Sequence, residues 1–160
     1  MMNKINKANI SLIVWIAAII LIGWAIGSLT KAEIHTWYSV INRSALTPPN
    51  YVFPIAWTIL YATIAISGFF IWRAESFPAL PIIKMLYVMQ LLLNWSWTPL
   101  FFHYHLTGYS LICLLSMDIA VALMICLTYV RIKPVSLLMT PYLGWILFAT
   151  YLNFYIWRHN

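Results

Sequence analysis

Charged residues divide this chain into long apolar stretches, and that pattern constrains the fold more than any other feature. The stretches run over residues 10–29, 52–72, 82–102, 109–130 and 135–157. Each is close to the roughly 20 residues that a helix needs to cross the hydrocarbon core of a bilayer. Because backbone groups find no water in that core, each stretch must form a helix. We therefore expect five transmembrane helices.

The composition excludes a water-soluble domain. Hydrophobic residues make up 64% of the 160 residues and charged residues 8%, too few to cover a soluble core of this size. Short links between the later stretches place consecutive helices side by side and antiparallel. The sequence predicts an all-α, integral membrane, five-transmembrane-helix bundle, with residues 1–160 as one domain and 31–49 as its longest loop.

Neither the net charge nor the cysteines and histidines indicate a further partner. The charge of +6 is accounted for by basic ends next to anionic lipid headgroups, so we expect membrane lipid and no nucleic acid as a partner. Cys113 and Cys126 lie about 20 Å apart on one predicted helix, which excludes a disulfide between them. His103 and His105 stand at a predicted helix end without a second ligand at a metal-site spacing. We expect no metal site and no required cofactor.

The first stretch contains a motif of small residues. Gly23 and Gly27 form a GxxxG, which lets another helix approach closely in a membrane. Glycine is also frequent in membrane helices that have no such contact. Both interpretations of this motif stay open at the level of sequence.

Aromatic residues form 17% of the chain, and nine of them are tryptophans. Several share a helix face with an amide or a small residue: Trp57 and Tyr61 on the second predicted helix, Gln90, Asn94 and Trp97 on the third, Trp145, Ala149 and Asn153 on the fifth. Because amides are unfavourable toward lipid, these faces are expected to turn inward. Such an interior suits a flat, largely apolar ligand with polar edges. An aromatic core joined by amides would show the same pattern.

A series of aromatic, proline and amide residues continues along nearly the whole chain. It consists of Trp37-Tyr38, Pro48-Pro49, Phe53-Pro54, Trp57, Leu60-Tyr61, Gln90-Leu91, Asn94-Trp95, Trp97, Phe101-Phe102, Pro141-Tyr142, Trp145, Ala149 and Leu152-Asn153. In this order and spacing the series resembles the TspO/MBR family. The family comprises bacterial tryptophan-rich sensory proteins and mitochondrial translocator, or peripheral benzodiazepine receptor, proteins.

The resemblance implies a five-helix bundle, often a homodimer, with an interior pocket for protoporphyrin IX and related tetrapyrroles. The loop 31–49 would close over this pocket as a lid. The residues that match the ligand cavity of the family are Tyr38, Pro48, Trp57, Tyr61, Asn94, Trp97, Trp145 and Ala149. The protein would then act in porphyrin sensing, transport or scavenging. Some relatives bind sterols, so sterol or lipid binding and translocation is an alternative.

A second alternative is enzymatic. Trp57 and Trp145 match two tryptophans implicated in light-dependent porphyrin breakdown by some bacterial members, and would be the catalytic residues of a light- and oxygen-dependent porphyrin-degrading enzyme. An electron-rich indole stacked on a photoexcited macrocycle could exchange a single electron with it. The resemblance leaves this activity and simple binding both open.

The match also departs from the family pattern and extends beyond the cavity. Leu46 stands where members usually carry a tryptophan before the double proline, so the lid has one indole fewer. Asp118 matches an acidic position for which we expect hydrogen bonding between helices. The short basic N-terminal segment, which has no transit-peptide character, favours a bacterial cell membrane.

Overall fold

The computed structural model describes residues 2–160, except for the side chains of residues 2–9, 29 and 31. The described residues form helices and no strand. The helices are α1 (Met2–Leu29), α2 (Lys31–His35), α3 (Trp37–Val40), α4 (Val52–Arg73), α5 (Leu80–Thr98), α6 (Thr107–Thr128) and α7 (Lys133–His159). A π-helical turn at Pro99–His103 continues α5. The prediction of an all-α membrane bundle is confirmed.

Four of the long helices are individually apolar enough to cross a membrane. They are the Ile10–Ser28 part of α1 together with α4, α6 and α7. The remaining long helix, α5, has 19 residues and is less apolar because Gln90 and Asn94 lie within it. The π-helical turn lengthens α5 to His103, and the five long helices pack into one bundle.

The packing order of the helices differs from their order along the chain. Helix α7 packs against both α6 and α4, α6 also packs against α5, and α1 packs mainly against α4. Fully buried side chains at the centre include Ile64, Tyr87, Met117, Tyr142 and Ile146. Since lipid tails are as apolar as these side chains, close packing and interhelical hydrogen bonds hold the bundle together.

The lid region is more regular than predicted. The segment 31–49, predicted as the longest loop, contains two short helices, α2 over residues 31–35 and α3 over residues 37–40. Thr36 separates these two short helices, with φ −95° and ψ −85° outside the helical region. Helical structure does not resume before Val52, in part because Pro48 and Pro49 supply no backbone N–H donors.

Candidate functional site

A cavity of about 520 Å³ lies between the lid and the adjoining ends of the long helices. We call it the aromatic cavity. Its lining residues are Ile20, Gly23, Trp24, Gly27, Ser28, Thr30, Ile34, His35, Tyr38, Asn50, Tyr51, Phe53, Pro54, Trp57, Thr58, Tyr61, Trp97, Thr98, Phe101, Phe102, Ala149, Leu152, Asn153 and Ile156. The volume falls within the roughly 300–1,000 Å³ of small-molecule sites, and the lining is mostly apolar and aromatic, as in such sites.

One wall of the cavity is built by α4. Trp57 and Tyr61 stand one helical turn apart, with ring centroids 5.6 Å from each other and planes tilted by 32°. The Tyr61 hydroxyl donates a hydrogen bond of 2.7 Å to Oδ1 of Asn94 on α5. This bond restrains the Tyr61 ring, so the wall has a defined shape.

A second wall comes from the end of α5 and the π-helical turn. Trp97 and Phe101 stack with centroids 5.3 Å apart and planes 20° from parallel. The indole Nε1 of Trp97 donates to Oδ1 of Asn153 at 3.1 Å. That oxygen also accepts from Ser110 at 2.8 Å, while Nδ2 of Asn153 donates to the Thr107 carbonyl at 2.8 Å. Because Asn153 is itself held by these partners, it fixes the orientation of Trp97.

The roof of the cavity is the Tyr38 ring of α3, which packs edge-on against the π-helical turn. Its centroid lies 6.1 Å from that of Phe101 and 5.4 Å from that of Phe102. The Arg43 guanidinium lies over the Tyr38 ring, 5.0 Å from its centroid. Burial raises the pKa of Tyr38, and the positive charge of Arg43 partly opposes this shift. Tyr38 therefore stays neutral at physiological pH and presents an aromatic surface to the cavity.

The lid is fastened to the bundle at both of its ends. At its start, His105 stacks on Trp37 with centroids 4.2 Å apart, and Nε2 of His105 lies 3.5 Å from a carboxylate oxygen of Glu33. At its end, the hydroxyls of Ser44 and Tyr151 are hydrogen bonded at 2.9 Å. His105 thus contacts the lid, and no group of metal-ligating side chains occurs in the described part of the chain.

Asn42 adds further bonds between the lid and the end of α7. Its backbone N–H donates to Oδ1 of Asn160 at 2.9 Å, and its Nδ2 donates to the His159 carbonyl at 3.2 Å. Nδ2 of Asn160 in turn donates to the Asn42 carbonyl at 3.1 Å. This pairing is exposed at the surface of the protein.

Beneath the cavity a chain of hydrogen bonds joins α4, α5 and α7. Asn94 accepts a hydrogen bond from Tyr61, and its Nδ2 donates to the Tyr142 hydroxyl at 3.1 Å. That hydroxyl in turn donates to Oε1 of Gln90 at 3.0 Å. Gln90, Asn94 and Asn153 are 0%, 2% and 1% exposed. The prediction that these amides face the bundle interior is confirmed.

The expected role of Asp118 is confirmed as well. Its Oδ2 accepts a hydrogen bond of 2.8 Å from Thr150, which joins α6 to α7. The second carboxylate oxygen, Oδ1, is buried without a protein partner. An acidic side chain is therefore kept within the bundle by one interhelical bond.

The structure brings five of the eight predicted cavity residues to the aromatic cavity: Tyr38, Trp57, Tyr61, Trp97 and Ala149 line it. The other three lie next to it. Asn94 is buried below Tyr61. Trp145 contacts Phe53, which lines the cavity, with ring centroids 6.1 Å apart. Pro48 lines a separate depression in the lid, which we call the polar recess and which is formed by residues 41–44 and 47–50.

Several lining residues were not assigned to the cavity from the sequence. Phe53, Phe101 and Phe102 occur in the quoted series, and their aromatic character was the available signal. Gly23 lies against the Tyr61 ring: a Cβ at this position would come within 3.0 Å of it. His35 and Asn50 carried no signal, because they reach the cavity only through the fold of the lid.

Comparison with known proteins places this arrangement in context. The model of the TspO/MBR family matches residues 15–158. The tryptophan-rich protein TspO of Archaeoglobus fulgidus is 39% identical over 151 residues, which cover 94% of this chain and 97% of the relative. The human translocator protein is 32% identical over 143 residues, covering 87% and 84%. The tryptophan-rich sensory protein of Cereibacter sphaeroides is 33% identical over 135 residues, covering 84% and 82%.

Proposed function

Since this chain belongs to the TspO/MBR family, we propose that it binds tetrapyrroles of the protoporphyrin IX type in the aromatic cavity. Binding would serve porphyrin sensing, transport or scavenging in the membrane. The names of the relatives, translocator protein and tryptophan-rich sensory protein, support a sensory or transport role. The cavity geometry supports the class of ligand.

The observation that carries this proposal is the pair of aromatic walls. The Trp57 and Tyr61 rings lie on α4, and the stacked Trp97 and Phe101 rings lie on α5 and its π-helical turn. Both walls line the same space of about 520 Å³. A planar conjugated macrocycle gains both buried apolar area and ring-stacking contacts from such walls. Hydrogen bonds to Asn94 and Asn153 fix two of the rings before any ligand arrives.

Fluorescence quenching with protoporphyrin IX tests the proposal. Purified protein in detergent is titrated with the porphyrin, and tryptophan emission is normalised to each variant's own signal. Trp57→Phe and Trp97→Phe each remove an indole from the cavity, whereas Trp72→Phe removes one at the far end of α4 and serves as the matched control. Wild type and Trp72→Phe should show saturable quenching of equal affinity.

The two cavity variants should bind more weakly, by up to about 12-fold, because an aromatic contact is roughly 0.5–1.5 kcal/mol and phenylalanine keeps only part of the stacking area of the indole. Quenching that stays linear and is equal in all variants would show that the porphyrin only partitions into the micelle. In that event sterol, the alternative ligand class, is titrated next.

Ala149 provides an independent steric test. Its small side chain lines the cavity on α7, and Ala149→Leu would fill part of that space. We expect weaker porphyrin binding without loss of fold, since overpacking here extends into the cavity rather than into packed protein. Unchanged affinity would place the ligand elsewhere.

The degrading activity is a second candidate because the Trp57 indole borders the cavity directly. Trp145 does not line the cavity and contacts it through Phe53. Under illumination in air with bound protoporphyrin IX, Trp57→Phe should slow the loss of porphyrin absorbance more than Trp145→Phe does. If neither substitution changes the rate relative to wild type, the enzymatic function is wrong.

Homodimer formation and a bacterial cell membrane stay predictions. The relatives include archaeal and human proteins as well as a bacterial one, so they do not indicate in which kind of membrane this protein resides. Crosslinking in native membranes would test the homodimer.

A further inference from the structure

Three side-chain hydrogen-bond donors that line the aromatic cavity are already engaged. Thr58 donates its hydroxyl proton to its own helix backbone at 2.7 Å, Tyr61 donates to Asn94, and the Trp97 indole donates to Asn153. These groups offer rings and neutral atoms to a ligand and no cation. A carboxylate could not be placed there without losing its hydration, which is unfavourable when no charged donor replaces it.

The polar recess in the lid adjoins this cavity at two points. Asn50 lines both spaces. Tyr38 lines the aromatic cavity, and the Arg43 guanidinium in the recess lies 5.0 Å from the centroid of its ring. A ligand that fills the cavity and extends past Tyr38 or Asn50 therefore meets the recess next.

The charge of the polar recess favours an anion. None of its described lining residues is acidic, and the same holds for the aromatic cavity. Arg43 has no Asp or Glu oxygen within salt-bridge distance in the part of the chain that the structure describes, where Glu33 pairs with His105 instead. A guanidinium binds a carboxylate through two parallel N–H bonds, which makes arginine well suited to this role.

Thr47 supplies an independent observation in the same recess. Its hydroxyl oxygen Oγ1 is buried and has no hydrogen-bond partner in the protein. A buried hydroxyl without a partner is unfavourable, so a ligand oxygen that accepts its proton would remove that penalty. Neighbouring Ser44, by contrast, is bonded to Tyr151 and accepts from the Leu46 N–H.

We propose that the polar recess is an anion subsite that holds the carboxylate of an amphipathic ligand whose flat apolar body fills the aromatic cavity. Arg43 pairs with the carboxylate, and Thr47 and Asn50 donate to it. This assignment rests on the proposed function and narrows it to acidic tetrapyrroles, bound with the ring inward and the acid at the lid. Neutral tetrapyrroles lack the group that the recess recognises.

The test compares protoporphyrin IX, which has two carboxylates, with its neutral dimethyl ester. Both are titrated into wild type, Arg43→Gln and Thr47→Val, with Arg131→Gln as the control. Arg131 lies in the α6–α7 link at the opposite end of the bundle, so this variant loses the same charge far from the recess. Arg43→Gln should weaken binding of the diacid about tenfold and leave the ester unchanged. Thr47→Val should weaken the diacid by a smaller factor, and Arg131→Gln should change neither.

Other outcomes would overturn the assignment in distinguishable ways. If Arg43→Gln weakens both ligands equally, Arg43 acts by supporting the Tyr38 ring and the recess is not an anion subsite. If wild type and Arg43→Gln bind the diacid equally, the recess is not used, although the aromatic cavity is. If wild type binds neither porphyrin, the proposed function itself fails, and this assignment with it.

Discussion

Gly23 and Gly27 allow a direct test of how α1 packs, because the two glycines of the GxxxG have different surroundings. A Cβ on Gly23 would lie 2.5 Å from Cζ and 2.8 Å from Cδ2 of Tyr61, distances at which atoms must move. A Cβ on Gly27 would find nothing within 4 Å. We therefore expect Gly23→Ala to destabilise the protein and Gly27→Ala to be tolerated.

The difference between the two variants isolates the packing cost. Alanine gains the same helix propensity at both positions, so this gain cancels. Overpacking costs about 1–3 kcal/mol, and a displaced Tyr61 also weakens its bond to Asn94, which in a membrane bundle is about 0.6–1.7 kcal/mol. Gly23→Ala should therefore be about 2–5 kcal/mol less stable than Gly27→Ala.

Unfolding by sodium dodecyl sulfate in mixed micelles, followed by far-UV circular dichroism, measures both free energies. Equal stabilities, within about 0.5 kcal/mol, would refute the close contact between α1 and Tyr61. Gly23→Ala should also weaken porphyrin binding, because the ring that it displaces lines the cavity.

Three further substitutions test single bonds. Thr150→Val removes the partner of Asp118 and should lower the free energy of unfolding by about 1–3 kcal/mol; an unchanged value would show that this bond is dispensable. Asn153→Leu removes the acceptor that orients a cavity tryptophan and should weaken porphyrin binding in the quenching titration, so wild-type affinity would contradict that role. Tyr151→Phe removes the bond to Ser44 in the lid and should speed porphyrin release about two- to fivefold in stopped flow; an unchanged rate would mean that this bond does not restrain the lid.

The inward position of the amides could be predicted from the sequence, because it follows from the free-energy cost of exposing a polar side chain to lipid. Gln90, Asn94 and Asn153 carry polar groups at membrane depth, where lipid offers no hydrogen-bond partner. Each is buried in the bundle. The membrane class and the long helices followed from the same kind of reasoning, since apolar length and charge are read directly from the chain.

The lining of the cavity could be predicted only in part, because it depends on how far each helix is rotated. Trp145 and Ala149 share a face of α7, yet Ala149 reaches the cavity and Trp145 contacts Phe53. Asn94 shares a face with Trp97 but lies one turn deeper and bonds to Tyr61. A spacing of three or four residues fixes a common face and leaves depth and rotation undetermined.

The π-helical turn and the two lid helices also could not be predicted from the sequence. At Pro99–His103 the widened turn lets Phe101 and Phe102 both contact Tyr38, and no residue pattern marked it. The two short helices of the lid are of only five and four residues, too short to show a period. Their position is decided by contacts with the distant ends of α5 and α7.

Some of the hydrogen bonds around the aromatic cavity are buried and others are exposed to water, and this difference determines where a ligand can enter and leave. The wall and floor bonds that hold Tyr61 and Tyr142 are buried, where water cannot replace a broken hydrogen bond. The bonds between Asn42 and Asn160 are exposed, so water compensates for their loss. Opening the roof is therefore less costly than separating the long helices. We expect ligand to exchange past the lid, and crosslinking the lid to the end of α7 should slow both its entry and its release.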